Sequence, residues 1–313
     1  MDDPAADFEH PPGRLVETGP ASLPSCAQHW VRSHHTGRRY RIQTTCAGPQ
    51  PEQGYPVLYL LDGDTLFPIA STAAHALTTR TGENGVVPML IVGIGYDHQR
   101  WLDTDARVED YTPPVADGSA SHDARGRRQG GADRFLRFLQ DELLPETQRH
   151  FQIDSTRQAL FGHSFGGLFT LHAFFRQPQT FQTYIASSPS LWWHHEYMLQ
   201  QQAQFIRTQQ GHAALQTRLH LSIGEYEQKH SPHISPDSPR AQMLQARGQV
   251  ARVRAFFRQF QSGLPTLPVS LRELPEATHG SAQLYAILDA LRLLGTPLPA
   301  QTADCRPAGN QPG

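Results

Sequence analysis

Short runs of β-branched and aliphatic residues alternate along the chain with segments in which apolar residues recur every three or four positions. The runs predict eight strands, and most of the later ones are apolar throughout, which is typical of strands that helices cover on both faces. Strands that alternate with helices indicate an α/β fold with a mostly parallel, doubly wound sheet. The predicted strands are residues 28–33, 39–45, 56–61, 89–95, 158–161, 183–186, 218–223 and 269–273.

Helical periodicity is clearest at residues 132–144, where phenylalanine and leucine form an amphipathic stripe that core packing explains. Pro145 should end or kink this helix, because proline lacks an N–H and its ring clashes with the preceding turn. The same reasoning predicts helices at residues 166–176, 239–260 and 282–294.

A single domain, residues 26–294, accounts for all these elements and opens with an antiparallel hairpin. Residues 1–25 are expected to be a flexible segment, and residues 295–313, with four prolines and little apolar content, a disordered tail. Two stretches interrupt the alternation. Residues 111–131, rich in proline, glycine and serine, form either a lid or a surface insertion, and the glutamine-rich residues 192–211 are expected to form a helical cap over the sheet edge.

The charge balance narrows the choice of partners. A formal net charge of −2 gives no electrostatic basis for binding nucleic acid or an anionic membrane. No stretch reaches the roughly 18 consecutive apolar residues of a spanning helix, and residues 1–25 lack the basic start and apolar core of a signal peptide. We therefore expect a cytoplasmic protein that binds neither nucleic acid nor a membrane.

The cysteines and histidines do not indicate a disulfide framework or a metal site. The three cysteines are scattered, and Cys26 and Cys46 would face each other only if residues 34–37 form a hairpin turn. In a reducing cytosol we favour two free thiols over a disulfide. The paired histidines are better explained as residues of solvated turns than as ligands, so we predict neither a metal nor an organic cofactor.

The first chemical signal is the sequence Gly-His-Ser-Phe-Gly at residues 162–166, a G-x-S-x-G motif. In this motif the serine lies on a tight turn from strand to helix, and small flanking residues permit the strained backbone. The motif by itself is weak, but here an apolar strand leads into it and a helix-forming segment follows it. We therefore predict Ser164 as a nucleophile and an α/β-hydrolase fold.

A serine hydroxyl is a poor nucleophile at neutral pH, so Ser164 needs a base, and histidine has the appropriate pKa. In α/β-hydrolases the chain order is serine, acid, histidine, with the base after the last strand. His279 fits, because it lies between the last predicted strand and the last helix. His163 does not fit, because a neighbour of Ser164 on the turn cannot fold back to accept its proton.

The acid should follow the penultimate strand, where Glu225 and Glu227 both qualify, and we prefer Glu227 because it lies further along the loop. An oxyanion hole requires one N–H from the residue after the nucleophile and another from the loop after an early strand. We predict the N–H groups of Phe165 and Asp64. The alternative for the loop at Asp64 is an acidic turn without a catalytic part.

Several segments together resemble the putative esterase group that contains esterase D (S-formylglutathione hydrolase), and within it the esterases that open ferric siderophores of the enterobactin and salmochelin type. The resemblance covers about residues 28–294. Its segments are Tyr-Leu-Leu-Asp-Gly at 59–63, Asp-Tyr-Thr-Pro at 110–113, Gly-His-Ser-Phe-Gly-Gly at 162–167, Ser-Ser-Pro-Ser-Leu-Trp-Trp at 187–193 and His-Gly at 279–280. The second and fourth segments favour the siderophore branch.

The resemblance implies the same nucleophile, base and acid, and it adds residues that would contact the substrate: Arg107, Tyr111, Trp192 and Trp193. Arg107 would pair with an anionic ferric complex, unless it is a plain surface residue. Trp101 and the two later tryptophans would stack on flat groups at the mouth of the site, unless they are buried in the core.

The implied activity is hydrolysis of ester bonds in an iron-loaded siderophore inside the cell, through an acyl-enzyme, with release of the iron. The iron belongs to the substrate, so the protein needs no cofactor. Two alternatives stay open: a general carboxylesterase or thioesterase of the esterase D type, and a catalytically silent hydrolase fold that only binds a ligand. The apparently complete catalytic set argues against the silent fold.

Overall fold

The computed structural model describes residues 21–97, 101–115 and 121–298. The predicted flexible segment before residue 21, the predicted tail after residue 298 and part of the predicted lid, residues 116–120, lie outside the described residues. The described ranges form one eight-stranded sheet with helices on both faces.

All eight predicted strands are present, with bounds that differ from the predicted ones by a few residues. The sheet order is β1-β2-β4-β3-β5-β6-β7-β8; β2 is antiparallel to both of its neighbours and every other pair is parallel. This arrangement confirms the predicted α/β-hydrolase sheet with its antiparallel hairpin at the start. The strands are β1 (Cys26–Arg32), β2 (Arg39–Ala47), β3 (Tyr55–Leu61), β4 (Met89–Tyr96), β5 (Ile153–His163), β6 (Thr183–Ser187), β7 (Arg218–Gly224) and β8 (Val269–Leu274).

Helices cover the sheet in two layers. One face carries α1 and α10, and the opposite face carries α4, α6, α7 and α9. A π-helical turn, Phe138–Leu143, joins α4 to α5, and a 3₁₀ turn, Glu225–Glu227, follows β7. The helices are α1 (Gly63–Thr78), α2 (Thr81–Asn84), α3 (Thr104–Tyr111), α4 (Ala132–Arg137), α5 (Leu144–His150), α6 (Phe165–Arg176), α7 (Tyr197–Gln209), α8 (Pro239–Arg247), α9 (Gln249–Gly263) and α10 (His279–Gly295).

Strand β3 shows why the strand sequences are apolar throughout. Every residue of β3 is buried, because alternate side chains enter different cores. Val57, Tyr59 and Leu61 pack in the larger core, and Leu58 and Leu60 pack in the core beneath α1 and α10. The carboxyl ends of the parallel strands meet at one edge of this sheet, which is where sites form in α/β folds.

The helix predicted at residues 132–144 does not end at Pro145. It continues as α5 to His150, after the π-helical turn. Pro145 thus lies where the hydrogen bonding changes from π-helical to α-helical, and it does not end the helix.

Two other helix bounds are corrected. The helix predicted at residues 239–260 is two helices, because Gly248 takes a left-handed conformation with φ of 53° and ends α8. The last helix begins at His279 rather than at residue 282, and Thr278 is its N-cap. The second correction places the predicted base at a helix N-terminus.

The hairpin register separates Cys26 from Cys46. Cys26 pairs with Thr45, and Arg32 pairs with Arg39, which is one residue away from the predicted alignment. A shift of one residue moves a side chain to the other face of the sheet. Cys26 therefore packs beside the core under α1 and α10, Cys46 packs beside the larger core, and both are free thiols.

The predicted cap is helical but lies elsewhere. Helix α7 packs against α6 and α9, and its residues Phe205 and Ile206 enter the larger core, so it covers a face of the sheet and not an edge. Helices α1, α2 and α3 were not predicted. Pro68 lies inside α1 and argues against a helix when only the sequence is considered. Burial of the apolar stripe of α1 nevertheless stabilises the helix.

Candidate active site

Ser164 lies on the turn between the end of β5 and the start of α6. Its φ of 60° and ψ of −117° are a strained conformation for a residue with a side chain. The turn is tight, since a Cβ on Gly162 would lie 2.2 Å from the carbonyl oxygen of Gly166. Position 162 therefore requires glycine, and the flanking strand and helix hold the Ser164 hydroxyl at the carboxyl edge of the sheet.

The Ser164 hydroxyl begins a chain of two hydrogen bonds. His279 Nε2 lies 3.1 Å from Ser164 Oγ, and His279 Nδ1 lies 2.6 Å from Glu227 Oε2. A carboxylate that accepts from Nδ1 leaves Nε2 free to accept from the hydroxyl. The three residues are distant in sequence, so the ends of β5, β7 and β8 bring them together.

Glu227, and not Glu225, lies beside the histidine. Glu227 is 2% exposed, and its Oε1 accepts from Gly224 N at 2.9 Å and from Ser188 Oγ at 2.5 Å. Glu225 is half-exposed and faces away, because its carboxylate accepts from Glu276 N at 3.0 Å and from the Lys229 ammonium at 3.3 Å. These bonds, with that to Glu276 the larger cause, hold the pKa of Glu225 below its usual value.

His163 packs directly against the predicted base. The rings of His163 and His279 have centroids 4.6 Å apart, and His163 Nδ1 lies 3.1 Å from Ser187 Oγ. Burial, with the nearby His279 and Arg107, lowers the pKa of His163 well below its usual value. The lowered pKa favours the neutral form of the His163 ring, which packs against the imidazole that faces Ser164.

The predicted oxyanion donors lie in the first turns of two helices. Phe165 is the first residue of α6 and Asp64 the second residue of α1, where backbone N–H groups have no acceptor within the helix. The Asp64 carboxylate points into the protein, where it accepts from Tyr96 N at 2.8 Å and from the Arg41 guanidinium. The segment is thus a helix start anchored by a buried carboxylate.

Arg107 is neither a surface residue nor free to pair with an anion. It is 8% exposed, and its Nε and Nη2 donate to the two carboxylate oxygens of Asp62, both at 2.8 Å. Burial opposes its charge, but the pair with Asp62 prevails and raises the pKa of Arg107. Both readings of Arg107 from the sequence are therefore wrong, because its guanidinium supports the loop after β3.

Tyr111 is also placed below the site. Its side chain is fully buried in the larger core, and its hydroxyl accepts from Asp62 N at 3.2 Å. The predicted contact of Tyr111 with substrate is corrected, since no part of the ring is open to a ligand. Tyr111 instead helps Arg107 to fix the loop that carries Asp64.

The tryptophans divide between the core and the surface. Trp193 is 4% exposed and packs in the larger core, so its predicted stacking on substrate is corrected. Trp192 is half-buried, with its ring centroid 6.0 Å from that of Phe165. Trp101 is 76% exposed, and its carbonyl accepts from Thr65 Oγ1 in the first turn of α1. Trp192 is therefore the predicted aromatic contact that lies beside the nucleophilic turn.

The sequence did not assign roles to Ser188 and Ser190, although both belong to a segment quoted for the resemblance. Ser188 Oγ donates to Glu227, and Ser190 Oγ lies 3.5 Å from Ser164 Oγ. Ser190 N also donates to the Ser164 carbonyl at 3.2 Å. The loop after β6 therefore supports both ends of the hydrogen-bonded chain.

Neither a metal centre nor a membrane span is found in the part of the chain that the structure describes. Within those residues, no group of three or more histidine, cysteine, aspartate or glutamate side chains is arranged to hold a metal ion. No helix among them is both long and apolar enough to cross a membrane.

Comparison with known proteins gives consistent matches over most of the chain. Residues 33–263 match the model of a family described as putative esterase. The chain is 34% identical over 270 residues to the ferri-bacillibactin esterase BesA of Bacillus subtilis, covering 82% of this chain and 91% of that protein. It is 32% identical over 278 residues to the siderophore triacetylfusarinine C esterase of Aspergillus fumigatus, covering 86% of each. The solved siderophore hydrolase EstB from Aspergillus nidulans matches with a TM-score of 0.76 and 28% identity, covering 88% of this chain and 96% of that one.

Proposed function

The chain belongs to the putative esterase family and is a carboxylic ester hydrolase, and we propose that it cleaves ester bonds of siderophores by serine catalysis, releasing the bound iron. The observation that carries the catalytic part is the chain of hydrogen bonds from Ser164 through His279 to Glu227. The proposed substrate rests on two relatives that each match more than four fifths of this chain, one named as a ferri-bacillibactin esterase and the other as a siderophore esterase.

In the first half-reaction, Ser164 Oγ attacks the ester carbonyl carbon while His279 Nε2 takes the hydroxyl proton. The carbonyl oxygen becomes an oxyanion, for which we propose the N–H groups of Phe165 and Asp64 as donors. The imidazolium that forms is stabilised by Glu227 across the 2.6 Å contact. Collapse of the intermediate breaks the bond to the alkoxy oxygen, which takes the proton from His279 and leaves as an alcohol.

In the second half-reaction, water replaces the alcohol. His279 accepts a proton from the water as its oxygen attacks the acyl carbon, and the proton then returns to Ser164 Oγ as the acid is released. No redox step occurs, because hydrolysis of the chelator backbone alone weakens its hold on the ferric ion. We propose the cytoplasm as the compartment of this reaction.

Hydrolysis of siderophore esters, followed by mass spectrometry of the products, tests the proposal. Ferric and iron-free forms are compared with a small aryl ester, and Ser164→Ala serves as the blank. We expect serine-dependent cleavage of a siderophore ester at a rate well above that of the aryl ester. Cleavage of the aryl ester alone would reject the siderophore and leave a general carboxylesterase or thioesterase as the better description.

A further inference from the structure

A second arginine, Arg247, lies near the site on α8, whereas Arg107 lies on α3. Arg247 Cζ lies 4.4 Å from the centroid of the Trp192 ring, at cation–π distance, and the edge of that ring contacts Phe165 next to Ser164. Arg107 donates both arms of its guanidinium to Asp62. Arg247 instead packs on an aromatic face, and no described residue accepts a hydrogen bond from its guanidinium N–H groups.

The backbone around Arg247 fixes this position. Arg247 is the last residue of α8, Gly248 reverses the chain in a left-handed conformation, and Gln249 begins α9. The buried side chain of Gln249 donates to the carbonyl oxygens of Ser188, at 3.4 Å, and Pro189. The turn between α8 and α9 is therefore attached to the loop that supports Glu227 and Ser164, and Arg247 is held at the rim of the active site.

No described carboxylate neutralises the charge on Arg247. Among the described residues, no carboxylate lies within ion-pair distance of Arg247 or of its neighbour Arg240, whereas Arg252 pairs with Glu196 at 2.8 Å. Burial and the like charge of Arg240 both lower the pKa of Arg247. A half-buried cation with a cationic neighbour favours an arriving anion, since the anion supplies the counter-charge that no described residue provides.

We propose that Arg247 and Trp192 form a binding platform for a negatively charged, oxygen-rich aromatic group of the substrate, and that the enzyme prefers anionic catecholate esters to neutral hydroxamate esters. The inference rests on the proposed siderophore esterase function and narrows its substrate class. Ferric ion with three catecholate dianions keeps a net negative charge, whereas ferric ion with three hydroxamate monoanions is neutral. The planar fork of arginine matches the two adjacent oxygens of a catecholate.

The test compares the wild type with Arg247→Gln and Arg258→Gln on one anionic catecholate and one neutral hydroxamate ferric ester. Arg258 is an exposed arginine on α9, so its replacement is a control for the loss of one positive charge. We expect Arg247→Gln to raise KM for the catecholate ester about tenfold, because a charge-assisted hydrogen bond is lost. We expect kcat and the hydroxamate KM to change by less than about twofold, and Arg258→Gln to resemble the wild type.

A matched pair of small esters separates this inference from the proposed function. Butyrate and succinate monoesters of one phenol differ in the negative charge of the acyl group. If no variant cleaves either siderophore ester, the proposed function is rejected. In that case, a preference for the succinate ester that is lost in Arg247→Gln would still support the anion platform. Equal losses on charged and neutral substrates, or no loss on the catecholate and succinate esters, would overturn the platform itself.

Discussion

Two regions of the active site differ in whether their polar groups have hydrogen-bond or ion-pair partners. The floor consists of Ser164, His279 and Glu227, and the rim consists of Arg247 and Trp192. On the floor, both nitrogens of His279 and both oxygens of Glu227 have partners at 2.5–3.1 Å. At the rim, the half-buried Arg247 rests on Trp192 and has no ion pair among the described residues. A network in which every polar group has a partner holds its side chains in place. A cation without a counter-charge can still bind an anion. Under our two proposals, the floor performs the chemistry and the rim selects the substrate.

The residues beneath the floor also form a network in which the polar groups have partners. Asp62 and Arg107 are both buried and joined by two hydrogen bonds of 2.8 Å, and Tyr111 accepts from the Asp62 N–H. This pair lies between α3 and the loop after β3, and Arg107 Nη2 also lies 3.5 Å from the carbonyl of His163. The nucleophilic turn and the predicted oxyanion loop therefore share one buried ion pair.

Removal of the nucleophile should have the largest effect. We expect Ser164→Ala to lower kcat by at least about 10³-fold for every ester while the fold is retained, as removal of a triad serine does. Steady-state kinetics and circular dichroism measure the two quantities. Residual activity within tenfold of the wild type, in a folded protein, would assign the reaction to another residue.

Breaking the buried pair should mainly cost stability. We expect Asp62→Asn to lower the free energy of unfolding by about 3–5 kcal/mol, because it leaves the Arg107 guanidinium buried without a counter-charge. Asp97→Asn is the control, because it breaks the exposed pair with Arg39 at 3.1 Å and should cost less than about 1 kcal/mol. Urea denaturation measures the free energy of unfolding of both variants. Similar losses of stability would show that the buried ion pair contributes no more than the exposed one.

Replacement of the two glutamates after β7 should have clearly different effects on kcat. We expect Glu227→Gln to lower kcat about 10²-fold or more, because an amide cannot stabilise the imidazolium of His279 as a carboxylate does. Glu225→Gln should change kcat by less than about threefold, since that carboxylate binds Glu276 N and Lys229. The reverse ranking in kcat would transfer the acid to Glu225.

Asp110 is a buried carboxylate away from the catalytic residues, and its hydrogen-bond partners offset only part of the cost of burying its charge. Burial raises the pKa of Asp110 to about 6, although Arg38 and the hydroxyls of Tyr40 and Tyr96 act in the other direction. Between the unfolded value near 3.8 and the folded value, the folded protein binds more protons. The contribution of Asp110 to stability is therefore fully present below about pH 4 and is lost as the pH rises through about 6.

Asp110→Asn tests this pH dependence, because asparagine does not titrate. From about pH 7.5 to about pH 5, we expect the wild type to gain about 1–2 kcal/mol of unfolding free energy relative to Asp110→Asn. Denaturant unfolding at both pH values measures the difference. A constant difference, or one that shrinks as the pH falls, would contradict the raised pKa.

The sequence predicted features that depend on neighbours along the chain. The eight strands followed from apolar runs, and the turn at Ser164 followed from the G-x-S-x-G motif together with its flanking strand and helix. His279 and Glu227 could be proposed because the chain order of an α/β-hydrolase restricts where a base and an acid can lie.

Features that depend on partners distant in sequence were missed. Arg107 was read as a surface or anion-binding residue because nothing in its own segment reveals Asp62, 45 residues away. The register of Cys26 and Cys46 depended on the hydrogen bonds of the hairpin turn, which set the alignment one residue from the expected one. Arg247 was overlooked because the break at Gly248, which turns it toward Trp192, lay inside a predicted continuous helix.

The most direct test of the floor is to find which residue forms a covalent bond with an ester analogue. The enzyme is treated with a fluorophosphonate, and the modified peptide is identified by mass spectrometry in the wild type, Ser164→Ala and His279→Ala. We expect stoichiometric modification of Ser164 in the wild type, none at that position in Ser164→Ala, and labelling slowed by at least about 10²-fold in His279→Ala. Stable modification of a different residue, or labelling of Ser164 at an unchanged rate without His279, would contradict this expectation.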